Sequence, residues 1–471
     1  MKLQAITIWI AVGFLASCTV GPNYHHPAVQ MPQTFHAPDP LPASQAASFA
    51  DLKWWEVFRD EELQGLIRTA LERNYDLRGA VTRVEMAQAN LGITRSDQFL
   101  QVSASGDVNF TRLSRNGPFP LPPALVPSQN RNWGQAQLNL LSFEVDLWGR
   151  LRRATEAARA SLLSAEENRK VVVTTLVGDI AAQYFTLREL DAQLEISRQT
   201  LATRQEALRL TTSRRNHGIA TDLDLKQAEQ LVDTADVAIS ILQQQIEQTE
   251  NQITLLLGLN PAGIARKSSF DENVLPPEVP AGLPSSLLER RPDVRAAEQN
   301  LIAANADIGI AKAAYFPRLS LSGLLGGQST QLSSLFGGPN SAWSFIPQLS
   351  QPIFEGGRLR SSVRLAEAQR DSAVLQYQKT IQTAFTEVST ALIAHQRVRE
   401  ARIKQEALVA TLKDRKRLAY MRYQGGVDTQ LNALDADRDL LQAQLDLRLI
   451  KLNELLSVVQ LYKALGGGWR S

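Results

Sequence analysis

The chain contains itself twice. Residues 74–106 lie over residues 291–323, which places Asp76 on Asp293, Arg78 on Arg295, Gly92 on Gly309 and Phe99 on Phe316, an offset of 217 residues (293 minus 76). Further along, Gly149-Arg150-Leu151-Arg152 lies over Gly357-Arg358-Leu359-Arg360, Arg214 and Gly218 over Arg422 and Gly426, and Leu257-Gly258 over Leu465-Gly466, now offset by 208 (357 minus 149). The change of offset falls between Gly106 and Gly149, so one connecting stretch differs in length. A long duplicated unit that keeps its internal spacing predicts two similar halves side by side, and its period is far too long for a solenoid.

The front of the chain is not part of the duplication. Met1-Lys2 and the apolar run over 5–16 have the charged start and short greasy centre of a secretory signal, too short to span a bilayer. The run ends in Leu15-Ala16-Ser17-Cys18, which looks like a bacterial lipobox: residues 1–17 would be removed and Cys18 would carry covalent lipid. Thr19, in place of an Asp, points to the outer rather than the inner membrane. Cys18 is the only cysteine, so the mature chain has no internal disulfide and no cysteine-based metal site. Residues 18–50 hold prolines at 22, 27, 32, 38, 40 and 42, which predicts an extended tether. No later stretch supplies ~18 consecutive apolar residues, so any membrane crossing has to be a closed β-barrel. A formal charge of +2 across 471 residues gives no argument for nucleic acid.

The repeats themselves read as very long helices. Residues 150–216 contain no proline and one glycine, and 358–424 repeat that length, which at ~1.5 Å per residue makes rods roughly 100 Å long. Leu187, Leu190, Leu194, Leu201 and Leu208, with Ser197 and Arg204 in the remaining seam positions, follow a 3,4 spacing. So do Ala235, Ile239, Leu242, Ile246, Thr249, Ile253 and Leu256, and Leu431, Leu434, Leu441, Leu445, Leu452 and Leu455. That period predicts helices packed along coiled-coil seams. Each long helix ends at a glycine, Gly218 or Gly426, followed by Thr221-Asp222 or Asp428-Thr429 as caps for a returning helix. Two helical hairpins with exposed tips result.

Short alternating segments interrupt the helices. Val102, Ala104, Val108 and Phe110 alternate with Ser103, Ser105, Asp107 and Asn109, and Ala136, Leu138 and Leu140 with Gln135, Gln137 and Asn139. Leu319 and Leu321 alternate with Ser320 and Ser322, and Trp343, Phe345 and Leu349 with Ser344, Gln348 and Ser350. Period two predicts four strands, near 101–112, 133–146, 317–326 and 343–353. Four strands cannot close around a lumen, since a small membrane barrel needs about eight. Two or three copies of the chain, or a soluble sheet packed on helices, all remain open on this ground alone.

Sequence motifs narrow the choice. Cys18-Thr19-Val20-Gly21-Pro22-Asn23-Tyr24, Trp54-Trp55, Glu289-Arg290-Arg291-Pro292-Asp293-Val294, Ala314-Tyr315-Phe316-Pro317, Pro352-Ile353-Phe354-Glu355-Gly356-Gly357-Arg358 and Tyr462-Lys463-Ala464-Leu465-Gly466-Gly467-Gly468-Trp469 resemble the TolC-like outer-membrane factors. The resemblance is to their lipoprotein subgroup, which serves resistance-nodulation-division tripartite efflux systems, and it covers essentially the whole mature chain. It implies a mainly α protomer with a duplicated half. Four strands per protomer would enter a trimeric 12-stranded outer-membrane β-barrel, continued by a 12-helix periplasmic α-barrel. The first repeat would occupy 51–260, a Pro-rich equatorial linker 261–284 and the second repeat 285–471. Shorter helices, roughly 63–99 with 221–257 and 292–314 with 429–465, would stack end to end beside the two uninterrupted ones.

Function follows as the gated exit channel of an efflux pump, with no enzyme activity and no cofactor beyond the lipid on Cys18. In relatives a Leu and an Asp one turn apart close the periplasmic end, and here these positions are Leu431 and Asp435, with Tyr423 before the turn. The first repeat carries Leu223, Gln227 and Arg215 at the matching positions, so the two hairpins would open unequally. Arg214 or Arg215 would pair with a carboxylate of the neighbouring hairpin, Asp428 being the candidate. The tips around Arg214 and Gly218, and around Arg422 and Gly426, would meet a periplasmic adaptor protein that couples the homotrimer to an inner-membrane pump. The leucine seam and the pore both claim Leu431. The five histidines show no metal-ligand spacing beyond an adjacent pair, His25-His26, in the tether. Rival readings are an exit duct for type I protein secretion and a lipid-anchored coiled-coil scaffold that conducts nothing.

Overall fold

The computed structural model describes residues 19–29, 32, 35–36, 52–114, 129–266, 286–467 and 469. The signal segment, Cys18 and parts of the tether and the equatorial linker lie outside the described residues. In chain order the helices are α1 (Trp54–Val57), α2 (Glu61–Arg73), α3 (Tyr75–Ser96), α4 (Arg150–Asn216), α5 (Asp222–Leu256), α6 (Ser286–Arg290), α7 (Pro292–Ala313), α8 (Arg358–Gln424) and α9 (Gln430–Ala464). The strands are β1 (Val102–Arg112), β2 (Asn130–Val145), β3 (Arg318–Ser329) and β4 (Ser341–Ser350). The rods α4 and α8 are 67 residues each and the returning α5 and α9 are 35 each, so the duplication is kept residue for residue in these elements. The helix expected over 63–99 is instead two, α2 and α3. Asn74 breaks it with extended backbone (ψ 132°), and its side-chain carbonyl caps the new start by accepting from Leu77 N at 2.9 Å.

Residues fall into two compact units, neither of which follows the repeats. The first comprises the chain up to Ala28, Val84–Ala165 and Ala297–Tyr377. It holds one antiparallel sheet in the order β1-β2-β3-β4. Register sets Val102, Ala104 and Val108 beside Leu140, Leu138 and Gly134, and Leu325, Gly323 and Leu319 beside Trp343, Phe345 and Leu349, all on one face. The apolar alternation of β2 fails at Leu140-Leu141, and a bulge lies there: Leu140 pairs with Gly323 and Phe143 with Leu321. One extra residue on β2 returns Phe143 and Val145 to the apolar face. The other face carries Gln135, which donates to Asp107 at 2.7 Å, and Asn139, which donates to Ser105 at 2.9 Å. Trp148 Nε1 donates to Pro317 O at 2.8 Å and its ring stacks on Phe316 at 4.6 Å, at the point where the missing N–H of Pro317 separates α7 from β3.

Within the same unit the start of the tether is an ordered strap. Val20 N donates to Trp148 O at 2.9 Å, Asn305 donates to Pro22 O at 2.9 Å, Arg153 donates to Asn23 Oδ1 at 2.8 Å and Tyr24 OH donates to Glu298 at 2.9 Å. The Gly-Pro-Asn-Tyr motif is therefore a docking sequence as well as a helix breaker. Gly21 has φ +103°, and a Cβ there would stand 2.5 Å from Gly309 Cα, so two backbones touch at a point that only glycine allows.

The second unit comprises Val29–Arg83, Glu166–Ala296 and Gln378–Ser471. Its core gathers Trp54, Phe58, Leu63, Ile67, Tyr184, Phe185 and Tyr462. Phe58 meets Phe185 and Tyr462 at ring distances of 6.2 and 6.0 Å, while Tyr184 OH donates to Asp60, whose other oxygen caps α2. Burial beside the Asp60 carboxylate raises the Tyr184 phenol well above its usual range. The α5 seam is buried where the period places it, at Ala235, Ile239, Leu242, Ile246, Thr249 and Ile253. In α9 it is not. The buried stripe near the hairpin end runs through Ala433, Ala436, Asp437, Leu440 and Ala443; of the expected heptad Leu452 is buried, Leu431 is exposed, and Leu434, Leu441, Leu445 and Leu455 are half-buried. Toward the hairpin end, alanines with Leu440 make up the buried face of α9 and the heptad leucines flank it.

Candidate functional site

The two hairpin ends, both in the second unit, are built alike. Gly218 (φ +76°) and Gly426 (φ +73°) take the left-handed conformation; Ile219 N bonds Arg214 O at 2.8 Å and Val427 N bonds Arg422 O at 3.1 Å, closing each rod with the same six-residue loop. Arg214 and Arg422 thus supply the carbonyls that end the rods, and Ile219 and Val427 project at 75% and 67% exposure. The returning helices start differently. Thr221 caps α5 through a reciprocal pair with Asp224 (Asp224 N to Thr221 Oγ1 3.1 Å, Thr221 N to Asp224 Oδ2 2.8 Å). At α9 Thr429 makes no side-chain cap; Asp428 instead accepts from Thr429 N at 2.8 Å and from Asn432. Those two bonds, led by Asn432, and the Arg422 guanidinium hold the Asp428 carboxyl below its ordinary range.

The expected Arg215–Asp428 pairing does not form. Arg215 Nε lies 2.9 Å from Asp222 in its own hairpin, and Asp428 lies 3.1 Å from Arg422 in its own. Asp222 begins α5 and Asp428 stands just before the N-cap of α9, so each arginine finds the carboxylate close to it in sequence rather than the one across. At the tips Arg214 meets Tyr423 of the other hairpin: Nη1 donates to the phenol oxygen at 2.7 Å, and the guanidinium lies 5.2 Å from the ring centroid. Tyr423 OH donates on to Gln430, which donates to Thr211 Oγ1 at 3.3 Å, so a short polar chain links α8, α9 and α4.

Leu431 and Asp435 share one face of α9, one turn apart. Leu431 is 54% exposed and takes no part in the buried stripe, which leaves it free to face a neighbour or a lumen. Asp435 is half-exposed and 3.2 Å from Arg438. Its carboxylate is therefore partly neutralised within the protomer. Cys18 lies outside the described residues.

A charged cluster that the sequence reading missed lies above the tip. Asp437, 6% exposed, has Arg204 Nε at 3.6 Å and the Lys416 ammonium against its other oxygen. Arg204 Nη1 also donates to Leu231 O of α5 at 3.1 Å. Burial and the nearby Asp437 carboxylate push the Tyr420 phenol up to about 12. One sign was visible beforehand: an arginine in an apolar seam needs a buried partner.

Among the described residues no helix is long and apolar enough to cross a membrane. The sheet has one apolar face, ends at β1 and β4, and has strands of 10 to 16 residues, which suits the ~9–11 residues that cross a bilayer in a barrel. Duplicated helical hairpins attached to such strands define an outer-membrane channel protomer. A family profile for outer membrane efflux proteins matches residues 66–259 and 283–467, and the chain belongs to that family. It is 39% identical over 479 residues to the toluene efflux pump outer membrane protein TtgC of Pseudomonas putida, covering 100% of this chain and 96% of that one. It is 36% identical over 460 residues to the outer membrane protein OprJ of Pseudomonas aeruginosa, covering 97% and 94%. The open-state crystal structure of the Neisseria gonorrhoeae MtrE outer membrane channel superposes with a TM-score of 0.86 at 29% identity, covering 96% and 99%. The protein is the outer-membrane component of an efflux system.

Proposed function

We propose that three copies of this chain form the gated exit duct of a tripartite efflux pump. The observation that carries the assembly is the sheet: one exposed apolar face, with Phe110, Leu138, Leu325, Trp343 and Leu349 upon it, and, among the described residues, no further strand beyond β1 or β4. Unpaired sheet edges do not persist in a bilayer, so β1 of one copy pairs with β4 of the next, and three copies make about twelve strands. Ser103, Ser105, Asp107, Gln135, Gln137 and Asn139 then line the lumen. At the hairpins threefold symmetry gathers Leu431 into an apolar ring and Asp435 into a carboxylate ring that restricts passage and favours cations. The hairpin ends bearing Gly218 and Gly426 meet a periplasmic adaptor coupled to an inner-membrane pump of the resistance-nodulation-division class. Lipid on Cys18 adds a second hold on the outer membrane. Apolar small molecules such as the toluene for which TtgC is named are the substrate class to try first.

Planar-bilayer conductance of the purified protein tests this reading. Small, rare openings in wild type that become large and frequent in Leu431→Ser/Asp435→Ala are expected. A conducting wild type unchanged by the substitutions removes the gate from these residues, and silence from folded trimers of both removes the channel.

A further inference from the structure

Contacts within the second unit set the order of its long helices. Arg204 of α4 donates to Leu231 O of α5 at 3.1 Å, Glu189 of α4 lies 3.0 Å from Arg448 of α9, and Glu454 of α9 lies 2.7 Å from Arg402 of α8. The order is α5-α4-α9-α8, so α5 and α8 each keep one outer flank. On α5 the flank opposite the buried stripe carries two exposed rows of seven-residue period, Leu223-Gln230-Val237 and Ile241-Gln248-Leu255. On α8 the flank turned away from Arg402 carries Ile403, Ala407, Ala410, Asp414, Leu418 and Met421, all exposed and spaced by threes and fours. Each is a helix-packing face to which this chain supplies no second helix.

Charge identifies the occupant. α5 holds seven carboxylates and one lysine, a formal −6 (1 minus 7), whereas residues 390–424 of α8 hold nine cations and three carboxylates, +6 (9 minus 3). Two α5 faces repel each other, as do two α8 faces, while α5 attracts α8; such a contact is heterologous, the kind that closes into a ring. Arg214 meets Tyr423 at 2.7 Å, so the ends of the two hairpins are level. Asp233 stands 11 residues from the start of α5 (233 minus 222) and Lys413 stands 11 from the end of α8 (424 minus 413), both ~17 Å from the hairpin ends. Glu247 and Arg399 stand 25 residues from the same points (247 minus 222, 424 minus 399), both ~38 Å away. None of these four enters an ion pair among the described residues. α5 runs away from the hairpin end and α8 runs toward it, and at ~100° per residue the two carboxylates and the two cations fall on the same side of the seam when the faces meet. We propose that α5 of one copy packs along α8 of the next, with Asp233 opposite Lys413 and Glu247 opposite Arg399 of that next copy, and that these opposite charges set the register and direction of ring closure. The proposal rests on the reading of the sheet as part of a trimer and adds the helical seam to it.

The test is the fraction of chains that stay trimeric when the detergent-solubilised protein is warmed at low salt. Asp233→Lys/Glu247→Lys should lower that fraction roughly tenfold, with a smaller loss at high salt, where exposed charges are screened. Adding Lys413→Asp/Arg399→Asp to the same chain should restore it. Register is read from two single swaps: Asp233→Lys with Lys413→Asp should recover more trimer than Asp233→Lys with Arg399→Asp, which has the same net charge but sets the exchanged residues 14 positions apart along the seam (25 minus 11). Equal recovery in the two overturns the pairing. Unchanged trimers in Asp233→Lys/Glu247→Lys overturn the seam while the assembly through the sheet stands, and a folded wild type that is monomeric removes both.

Discussion

Asn74 and Arg291 occupy the same position in the two repeats and do the same thing with different chemistry. Asn74 Nδ2 donates to Leu256 O at 2.9 Å, and Arg291 Nη1 donates to Ala464 O at 2.8 Å, so each ties the start of its own repeat to the end of a returning helix. Arg291 also holds Asp293 at 2.6 Å and Glu387 at 2.7 Å, which accounts for the Arg-Pro-Asp motif.

Removing these ties has unequal costs. Arg291→Met removes a buried guanidinium that bonds a helix-end carbonyl and two carboxylates 33% and 41% exposed, so that, discounted for solvent at the carboxylates, the loss is ~3 kcal/mol over its charge-assisted bonds. Asn74→Ala loses one cap and one carbonyl bond, ~2 kcal/mol. Denaturant melts of the two variants should rank in that order, and Arg291→Lys should recover less than half of its loss because an ammonium cannot bind Asp293 in parallel while reaching Ala464.

How far the sequence reaches is clearest in α5 and α9. Both show an apolar heptad, but the α5 heptad is the buried stripe almost throughout, whereas in the leucine heptad of α9 Leu452 is buried and Leu431, Leu434, Leu441, Leu445 and Leu455 are not. In α9 the alanines at 433, 436 and 443 make the contact, and a pattern search that weights leucine passes over them. Rods, reversals and strands were legible because their signals are local: absent prolines, Gly218 and Gly426, and period two. Arg204 was visible as an anomaly, but its partners Lys416 and Asp437 come from the other repeat and only the fold brings them together. The Arg215–Asp428 pairing failed for the converse reason, since Asp222 competes from seven residues away.

The strap gives a contrast within the duplication. Gly92 and Gly309 match between repeats, but a Cβ on Gly92 meets nothing within 4 Å, whereas one on Gly309 would meet Val20 O and Arg153 Cγ, each at 2.8 Å. Gly92→Ala should stabilise α3 by up to ~1 kcal/mol through helix propensity. Gly309→Ala should displace the strap, and limited proteolysis within residues 19–29 reads this directly: faster cleavage in Gly309→Ala and none of that change in Gly92→Ala.

The two sheet faces should answer oppositely to charge. Leu138 lies between Ala104 and Leu325 on the apolar face, and Leu138→Arg places a guanidinium in lipid at ~2–4 kcal/mol per strand near the bilayer midplane, repeated in each copy. Asn139→Lys, one residue on, points to the polar face and loses only its bond to Ser105. Outer-membrane fractions should contain folded, heat-modifiable trimers of Asn139→Lys and little or none of Leu138→Arg; equal insertion of both would reverse the assignment of faces.

His395 sets a pH dependence on the second unit. Ser457 Oγ donates to Glu454 O at 2.7 Å, which leaves its lone pair to accept from His395 Nδ1–H at 3.0 Å. Burial lowers its pKa below 6.5, with Glu454 opposing and Arg399 assisting. Above that value neither folded nor unfolded chain carries the proton, and stability is at its full level. As pH falls below 6.5 the unfolded chain protonates first, so stability declines until the folded-state pKa is reached and then levels off. The melting temperature should therefore be lower at about pH 5.5 than at about pH 7.5 through this group, and the His395→Gln variant, which keeps a donor toward Ser457, should lose that part of the difference. An unchanged pH profile in His395→Gln would assign the acid sensitivity to other groups.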